Sequence, residues 1–137
     1  MTKTYGIAYL TTAVVFLCID AVWLTVMSSR LYKPLLGPIL LNDFNIKAAA
    51  LFYVIYIAGA VYFAVQPAFQ TGSWMTAAAN GAVFGFCAYA TYDLTNQATL
   101  KNWPVAVTIA DICWGTVLTA IAATAGFLVS SALSRTA

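Results

Sequence analysis

The chain has 137 residues, of which 63% are hydrophobic and 7% are charged, and its formal net charge is +2. Charged residues make up about 25% of a soluble domain, so this composition indicates an integral membrane protein. Six basic side chains are too few to form a face that follows a phosphate backbone. We therefore expect no nucleic-acid partner and a lipid bilayer as the surroundings.

Four apolar segments reach the length of about 20 residues that a bilayer-spanning helix needs. They predict transmembrane helices at about 5–27, 48–69, 74–94 and 104–133, the last opened by Pro104. No small-x-small cleavage site follows the first apolar stretch, so we expect it to be retained. The four helices leave no room for a soluble domain. The predicted fold is an all-α integral membrane bundle in which residues 1–137 form one transmembrane domain.

The only long connection runs from Arg30 to Lys47, between the first two helices. Its leucines alternate with turn residues and basic side chains, a mixture typical of a segment that lies in the membrane interface. Pro34, Gly37 and Pro38 argue against one regular helix there. We expect this interfacial segment to lie on the side of the bundle that carries the polar residues.

Three aspartates interrupt the predicted spans of a chain that has no Glu and no His. An uncompensated carboxylate near the centre of a membrane helix costs about 2.5–3.5 kcal/mol, so Asp20, Asp93 and Asp111 must each find partners or be protonated. Two of them share a pattern that places a tryptophan one helical turn on, at Trp23 and Trp114. The aspartates are therefore the first candidates for a functional site.

Helix direction places the three carboxyls in one leaflet. At 1.5 Å per residue, Asp20, Asp93 and Asp111 lie roughly 13, 3 and 10 Å from the same membrane boundary. The loops at that boundary hold more lysine and arginine than the opposite side, where Lys3 and Arg135 lie. The positive-inside rule then places both termini on the non-cytoplasmic side.

Stripes of small residues indicate which helix faces pack together. On the third and fourth helices these stripes include Gly81, Gly85, Gly115 and Gly126, which would let neighbouring backbones approach closely. The aspartates border these stripes together with aromatic and amide side chains. The candidate cluster for binding a proton or a substrate comprises Asp20, Asp111, Asp93, Tyr89, Tyr92, Asn96, Trp23 and Trp114.

Each feature also has a plain structural interpretation. Tryptophans near helix ends are usually interfacial anchors, which suits Trp74, Trp103 and Trp23. Asp93 could pair with Lys101 at the membrane surface, and the other two aspartates could simply cross-link helices. Trp114 differs, because its position near the bilayer centre requires a partner for its indole N–H.

The residue types limit the chemistry. Without His or Glu the chain lacks the usual ligands of zinc, haem and transition metals. Three carboxylates and an asparagine could bind Mg²⁺ or Ca²⁺ through oxygen, but their unequal depths disfavour such a site. We expect no metal and no cofactor.

Four runs of the sequence are distinctive together: Asp20-Ala-Val-Trp23-Leu24, Phe52-Tyr53-Val-Ile-Tyr56, the stretch from Phe84 to Pro104 that contains Tyr-Asp-Leu-Thr-Asn, and Asp111-Ile-Cys-Trp114-Gly115. In these runs the chain resembles a bacterial membrane family known as domain of unknown function 2177. The resemblance implies a four-helix protein of the bacterial inner membrane, with no established activity to carry across.

Three function classes follow. The first is a lipid-modifying enzyme or accessory subunit, with Asp20 and Asp111 as acid and base and a lipid or small apolar ligand in a pocket. The second is a proton-coupled small carrier or channel, which would suit a homo-oligomer. The third is a structural subunit that binds a membrane partner. Whether the chain is an enzyme is left open by its residues.

Overall fold

The computed structural model describes residues 2–135, and within this range the chain is helical with no strand. Four long helical segments pack side by side, which confirms the predicted all-α membrane bundle. The second segment is made of two helices joined by a wider turn. The helices are α1 (Thr2–Met27), α2 (Lys33–Leu36), α3 (Ile46–Ala60), α4 (Gln66–Thr71), α5 (Trp74–Thr99) and α6 (Val105–Arg135).

Three helical stretches are long and apolar enough to cross a membrane, namely Thr2–Ile39, Ile46–Thr71 and Val105–Ser134. The remaining long helix, α5, has 26 residues, which is enough to span, but it is less apolar. Its face with Gly81 and Gly85 is buried, so α5 can carry polar residues without exposing all of them to lipid. That α5 also crosses the bilayer stays a prediction.

Both interruptions of helical regularity come just before a proline. Ser28–Tyr32 and Val61–Val65 are π-helical turns, and Pro34 and Pro67 follow them by two residues. A proline inside an α-helix loses one backbone hydrogen bond and clashes with the preceding turn. A wider turn relieves that conflict. The chain therefore stays helical through both prolines, instead of ending its helices there.

The segment after α2 becomes irregular, as its prolines and glycine predict. A 3₁₀ turn at Gly37–Ile39 ends the helical stretch, and an irregular stretch with bends at Leu40, Asn42 and Asp43 leads to Asn45. The Asn45 side chain accepts a hydrogen bond from the Ala48 N–H and so caps the start of α3. At the other end of this helical pair, Gly72 has a φ of 65°, a left-handed conformation that favours glycine and ends α4.

The largest helix interface joins α5 to α6, and α1 packs along α6 in the antiparallel direction. The antiparallel arrangement shows at one end in a 2.9 Å contact between the hydroxyls of Thr4 and Ser134. Small buried side chains such as Ala8, Ala122 and Ala123 line the centre. Because α1 and α6 run in opposite directions, residues near the end of α1 meet residues near the start of α6.

Candidate functional site

Asp20 lies inside the bundle, with its side chain 6% exposed. Its carboxylate accepts hydrogen bonds from two other helices. Tyr53 Oη donates to Oδ2 over 2.7 Å, and Trp114 Nε1 donates to Oδ1 over 3.1 Å. Hydrogen bonds to an ionised acceptor are roughly twice as strong as neutral ones. Two neutral donors thus compensate Asp20 and tie α1 to α3 and α6.

Asp111 is held by a residue from the turn after α1. Tyr32 Oη donates to Asp111 Oδ1 over 2.5 Å, and the same phenol oxygen accepts the Nε1–H of Trp23 over 2.9 Å. The tyrosine therefore forms a bridge that runs from the indole through the phenol to the carboxylate. It links two residues that come from α1 and α6.

The two tryptophans of the repeated pattern lie against each other. The rings of Trp23 and Trp114 are parallel within 8°, with centroids 4.2 Å apart. Each indole serves the carboxylate of the opposite helix, directly for Asp20 and through Tyr32 for Asp111. Trp23 therefore has partners inside the protein for both its ring and its N–H, which the interpretation as an interfacial anchor did not include.

Asp93 differs from the other two carboxyls. Its side chain is 0% exposed, and neither oxygen has a hydrogen-bond partner within residues 2–135. The suggested surface pair with Lys101 is therefore wrong. Because α5 continues to Thr99, beyond the end predicted at about residue 94, Asp93 lies roughly 9 Å along the axis from the end of its helix. Asp93 is close enough to Asp111 for the two carboxyls to interact electrostatically, and Asp111 interacts with Asp20 in the same way.

The remaining cluster candidates do not converge on one point. Tyr89 is half-buried beside Gly115, where its ring occupies the space that a Cβ would need. Tyr92 is 60% exposed and meets the ring of Trp103 edge-on at 5.9 Å. Asn96 lines a groove together with Tyr92. These last two residues thus face a separate surface feature near the end of α5.

The four glycines singled out in the sequence all lie where another side chain or backbone approaches. A Cβ at Gly81 would lie 2.9 Å from the Thr119 carbonyl oxygen, and one at Gly85 would overlap the Gly115 carbonyl. A Cβ at Gly126 would overlap the Thr12 hydroxyl. The absence of side chains at these positions is what allows α1, α5 and α6 to lie close together.

Sequence reasoning left three tyrosines out of the cluster. Tyr32 and Tyr53 bind the carboxylates, and Tyr56 Oη lies 2.7 Å from Thr119 Oγ1. The threonine hydroxyl already donates to the Gly115 carbonyl, so the tyrosine is the donor in that pair. The sequence shows Tyr53 and Tyr56 on one face of the second predicted helix, where their phenols can act as uncharged hydrogen-bond donors. Tyr32 could be found only from the expectation that its connecting segment covers the aspartates.

Two grooves flank the polar cluster. The first, which we name the indole groove, has a volume of about 590 Å³ and an almost wholly apolar lining; it is formed by Cys18, Ile19, Val22, Trp23, Val26, Met27 and Trp114. The second, the lysine groove, has a volume of about 550 Å³ and is formed by Leu36, Ile39, Leu40, Tyr92, Asn96, Leu100, Lys101 and Trp103.

The carboxyls do not assemble a recognisable metal centre. In the part of the chain that the structure describes, no three His, Cys, Asp or Glu residues lie together in a way that could hold a metal ion. Asp20 and Asp111 already use their oxygens on indole and phenol donors. The arrangement is suited to holding and moving protons, since carboxyl and phenol groups can both donate and accept them.

The fold and this cluster define a helical membrane protein with buried carboxyls between its spans. The chain belongs to the family DUF2177, described as a predicted membrane protein, whose sequence profile matches residues 5–128. No curated protein and no solved structure gives a significant match.

Proposed function

We propose that this protein acts on a lipid inside the membrane, as a lipid-modifying enzyme or as its accessory subunit, with Asp20 and Asp111 as the acid–base pair. One observation supports this above the others. The two hydrogen-bonded chains that hold Asp20 and Asp111 meet at the stacked rings of Trp23 and Trp114, and these rings line the indole groove, whose apolar lining faces outward from α1 and α6.

The two carboxylates are suited to different roles. Asp20 accepts two hydrogen bonds and so fits the part of a proton acceptor. Asp111 accepts a single hydrogen bond, from the Tyr32 phenol to Oδ1, so the hydrogen bonds of the described residues leave Oδ2 to take up or release a proton. A lipid chain lying in the indole groove would contact the same stacked indoles that hold these carboxylates. Substrate binding and proton transfer would then share Trp23 and Trp114.

The test compares three aspartate-to-asparagine variants in host cells that lack the native gene. Asp20→Asn and Asp111→Asn remove the acid–base groups, whereas Asp43→Asn changes the exposed aspartate of the connecting segment and is the matched control. We expect the wild type and the control to restore the lipid composition, and the two site variants to reach normal abundance without restoring it. A lipid composition that does not depend on the gene at all would refute the proposal.

A second candidate function, a proton-coupled carrier, is favoured by Asp93. Its carboxyl is fully buried, has no hydrogen-bond partner within residues 2–135 and lies in electrostatic range of Asp111, so it can gain and lose a proton as a transported ion passes. In liposomes that contain the purified protein, a carrier would give proton uptake that Asp93→Asn abolishes and Asp43→Asn preserves. Uptake equal to that of empty liposomes would exclude this candidate.

We further propose that the protein lies in the bacterial cytoplasmic membrane with its termini on the non-cytoplasmic side. Support comes from Arg30, Lys33, Lys47 and Lys101, which all lie in the two connections at one end of the bundle. A reporter that is active only outside the cytoplasm should be active when fused to the carboxyl terminus. If the reporter is active only when it is fused near Lys47, the orientation is the reverse of the one proposed.

A further inference from the structure

The lysine groove lies at the end of the bundle where the connecting segments are basic. One wall comes from Leu36 and Ile39, on the helical stretch after α1, together with Leu40 just beyond it, and the other wall comes from the end of α5. Lys101 is the only ionic side chain among its lining residues. The groove therefore combines an aliphatic wall with one positive charge.

The polar groups of the groove are arranged around that charge. Lys101 is exposed and makes no ion pair within residues 2–135, so its ammonium is available to a ligand. Asn96 supplies an amide on the same helix end. Trp103 offers its ring rather than its N–H, because the indole already donates to Thr108 over 3.1 Å. The amide, ammonium and aromatic groups of Asn96, Lys101 and Trp103 lie together at the opening of the lysine groove, an arrangement that suits an amphiphile with a charged headgroup.

The charged residues around the lysine groove favour a ligand whose headgroup is negatively charged. Asp20, Asp93 and Asp111 are buried, and the exposed Asp43 is not among the lining residues. An anion in the groove would thus meet one accessible ammonium and no accessible carboxylate. Basic pockets beside membrane helices on the cytoplasmic side are typical sites for anionic lipid headgroups.

We propose that the lysine groove binds an anionic phospholipid, with the phosphate held by Lys101 and Asn96 and an acyl chain along Leu36 and Leu40. The lipid is favoured over a soluble phosphate because much of the groove wall is aliphatic and belongs to the helical stretch Thr2–Ile39, which is apolar enough to lie in a membrane. This binding site is independent of the acid–base site, since neither Asp20 nor Asp111 lines the groove.

The test is lipid retention by the purified full-length protein in detergent, measured by native mass spectrometry. Phosphatidylglycerol, phosphatidylcholine and inorganic phosphate are added separately. We expect phosphatidylglycerol to be retained preferentially, and Lys101→Gln to lower its retention about fivefold, the effect of one basic residue near an anionic lipid. Lys101→Arg should keep most of the retention. Lys47→Gln, on the same side but outside the groove, is the matched control and should not change it.

Three outcomes would overturn the proposal. Equal retention of phosphatidylglycerol and phosphatidylcholine by the wild type would mean that the groove does not select charge. Equal loss in Lys101→Gln and Lys47→Gln would place the lipid elsewhere on the basic end. Retention of inorganic phosphate at the level of the lipid would indicate a small-anion site. None of these results depends on the lipid-composition test of Asp20 and Asp111, so the two proposals can fail separately.

Discussion

Trp23 and Trp114 stack in parallel between α1 and α6, with their ring centroids 4.2 Å apart. Each comes one helical turn after an aspartate in the sequence, yet each serves the aspartate of the other helix. Trp114 binds Asp20 directly, and Trp23 reaches Asp111 through Tyr32. The repeated sequence pattern therefore becomes a reciprocal cross-link, because the two helices run in opposite directions.

The two indoles should differ in what their N–H groups contribute. Trp114→Phe keeps a stacked ring but leaves a buried carboxylate oxygen of Asp20 without its donor, which we expect to cost about 1–3 kcal/mol. Trp23→Phe removes a neutral bond to a phenol that keeps its bond to Asp111, and should cost about 0.5–1.5 kcal/mol. Reversible unfolding in mixed detergent micelles measures both. A larger loss for Trp23→Phe would contradict the assigned donors.

Tyr32 should couple to Asp111 in a way that Tyr9 does not. Tyr32→Phe removes the phenol that donates to Asp111 and accepts from Trp23, so we expect a loss of about 1–3 kcal/mol. Tyr9 Oη donates to the Val54 carbonyl. Tyr9→Phe is the matched control and should cost about 0.5–1.5 kcal/mol.

A double-mutant cycle of Tyr32→Phe and Asp111→Asn isolates the bond itself. Residues in contact commonly show an interaction energy of about 0.5–3 kcal/mol, and we expect a value in that range. Additive single and double variants would mean that the phenol and the carboxyl act independently in the membrane.

Much of the fold could be predicted from hydrophobicity and length alone. Composition and the four apolar segments led to the all-α membrane bundle that the structure confirms. The prolines were harder to interpret, because a proline can be tolerated in a helix when the turn before it widens, and no residue pattern reports that widening. Pro34 therefore lies within a helical stretch that was expected to end at about residue 27, whereas Pro67 lies inside the span predicted at 48–69.

The candidate site could be predicted only as a set of residue types. Helix periodicity identified Asp20, Asp111 and both tryptophans, but it could not pair them across helices, since pairing depends on the vertical offset between α1 and α6. The end of the third helix was misplaced for a local reason. The residues from Thr95 to Thr99 were expected to lie beyond the helix, yet α5 continues through them, and the hydroxyls of Thr95 and Thr99 bond back to the preceding turn.

Asp20→Ala should cost the bundle more stability than Asp93→Ala. Asp20→Ala leaves Tyr53 Oη and Trp114 Nε1 without an acceptor, and each orphaned donor costs about 1–3 kcal/mol. Asp93→Ala removes two buried oxygens that have no partner in the described chain, so the loss of an unfavourable burial offsets the small cavity. In mixed detergent micelles, we expect the Asp93→Ala variant to unfold at a higher mole fraction of the denaturing detergent than the Asp20→Ala variant. Equal destabilisation would show that Asp93 has a stabilising partner.

The interface between α5 and α6 should be sensitive to a single methyl group. Gly85→Ala would place a Cβ against the Gly115 carbonyl and 2.6 Å from Thr119 Oγ1, so the helices must separate, at a cost of about 1–3 kcal/mol. Gly6 is the matched control, because it lies in α1 with no atom within 4 Å of an added Cβ. Gly6→Ala should leave stability unchanged or raise it by up to about 1 kcal/mol through helix propensity. If the two variants unfold alike, the close approach of α5 to α6 does not limit the stability of the bundle.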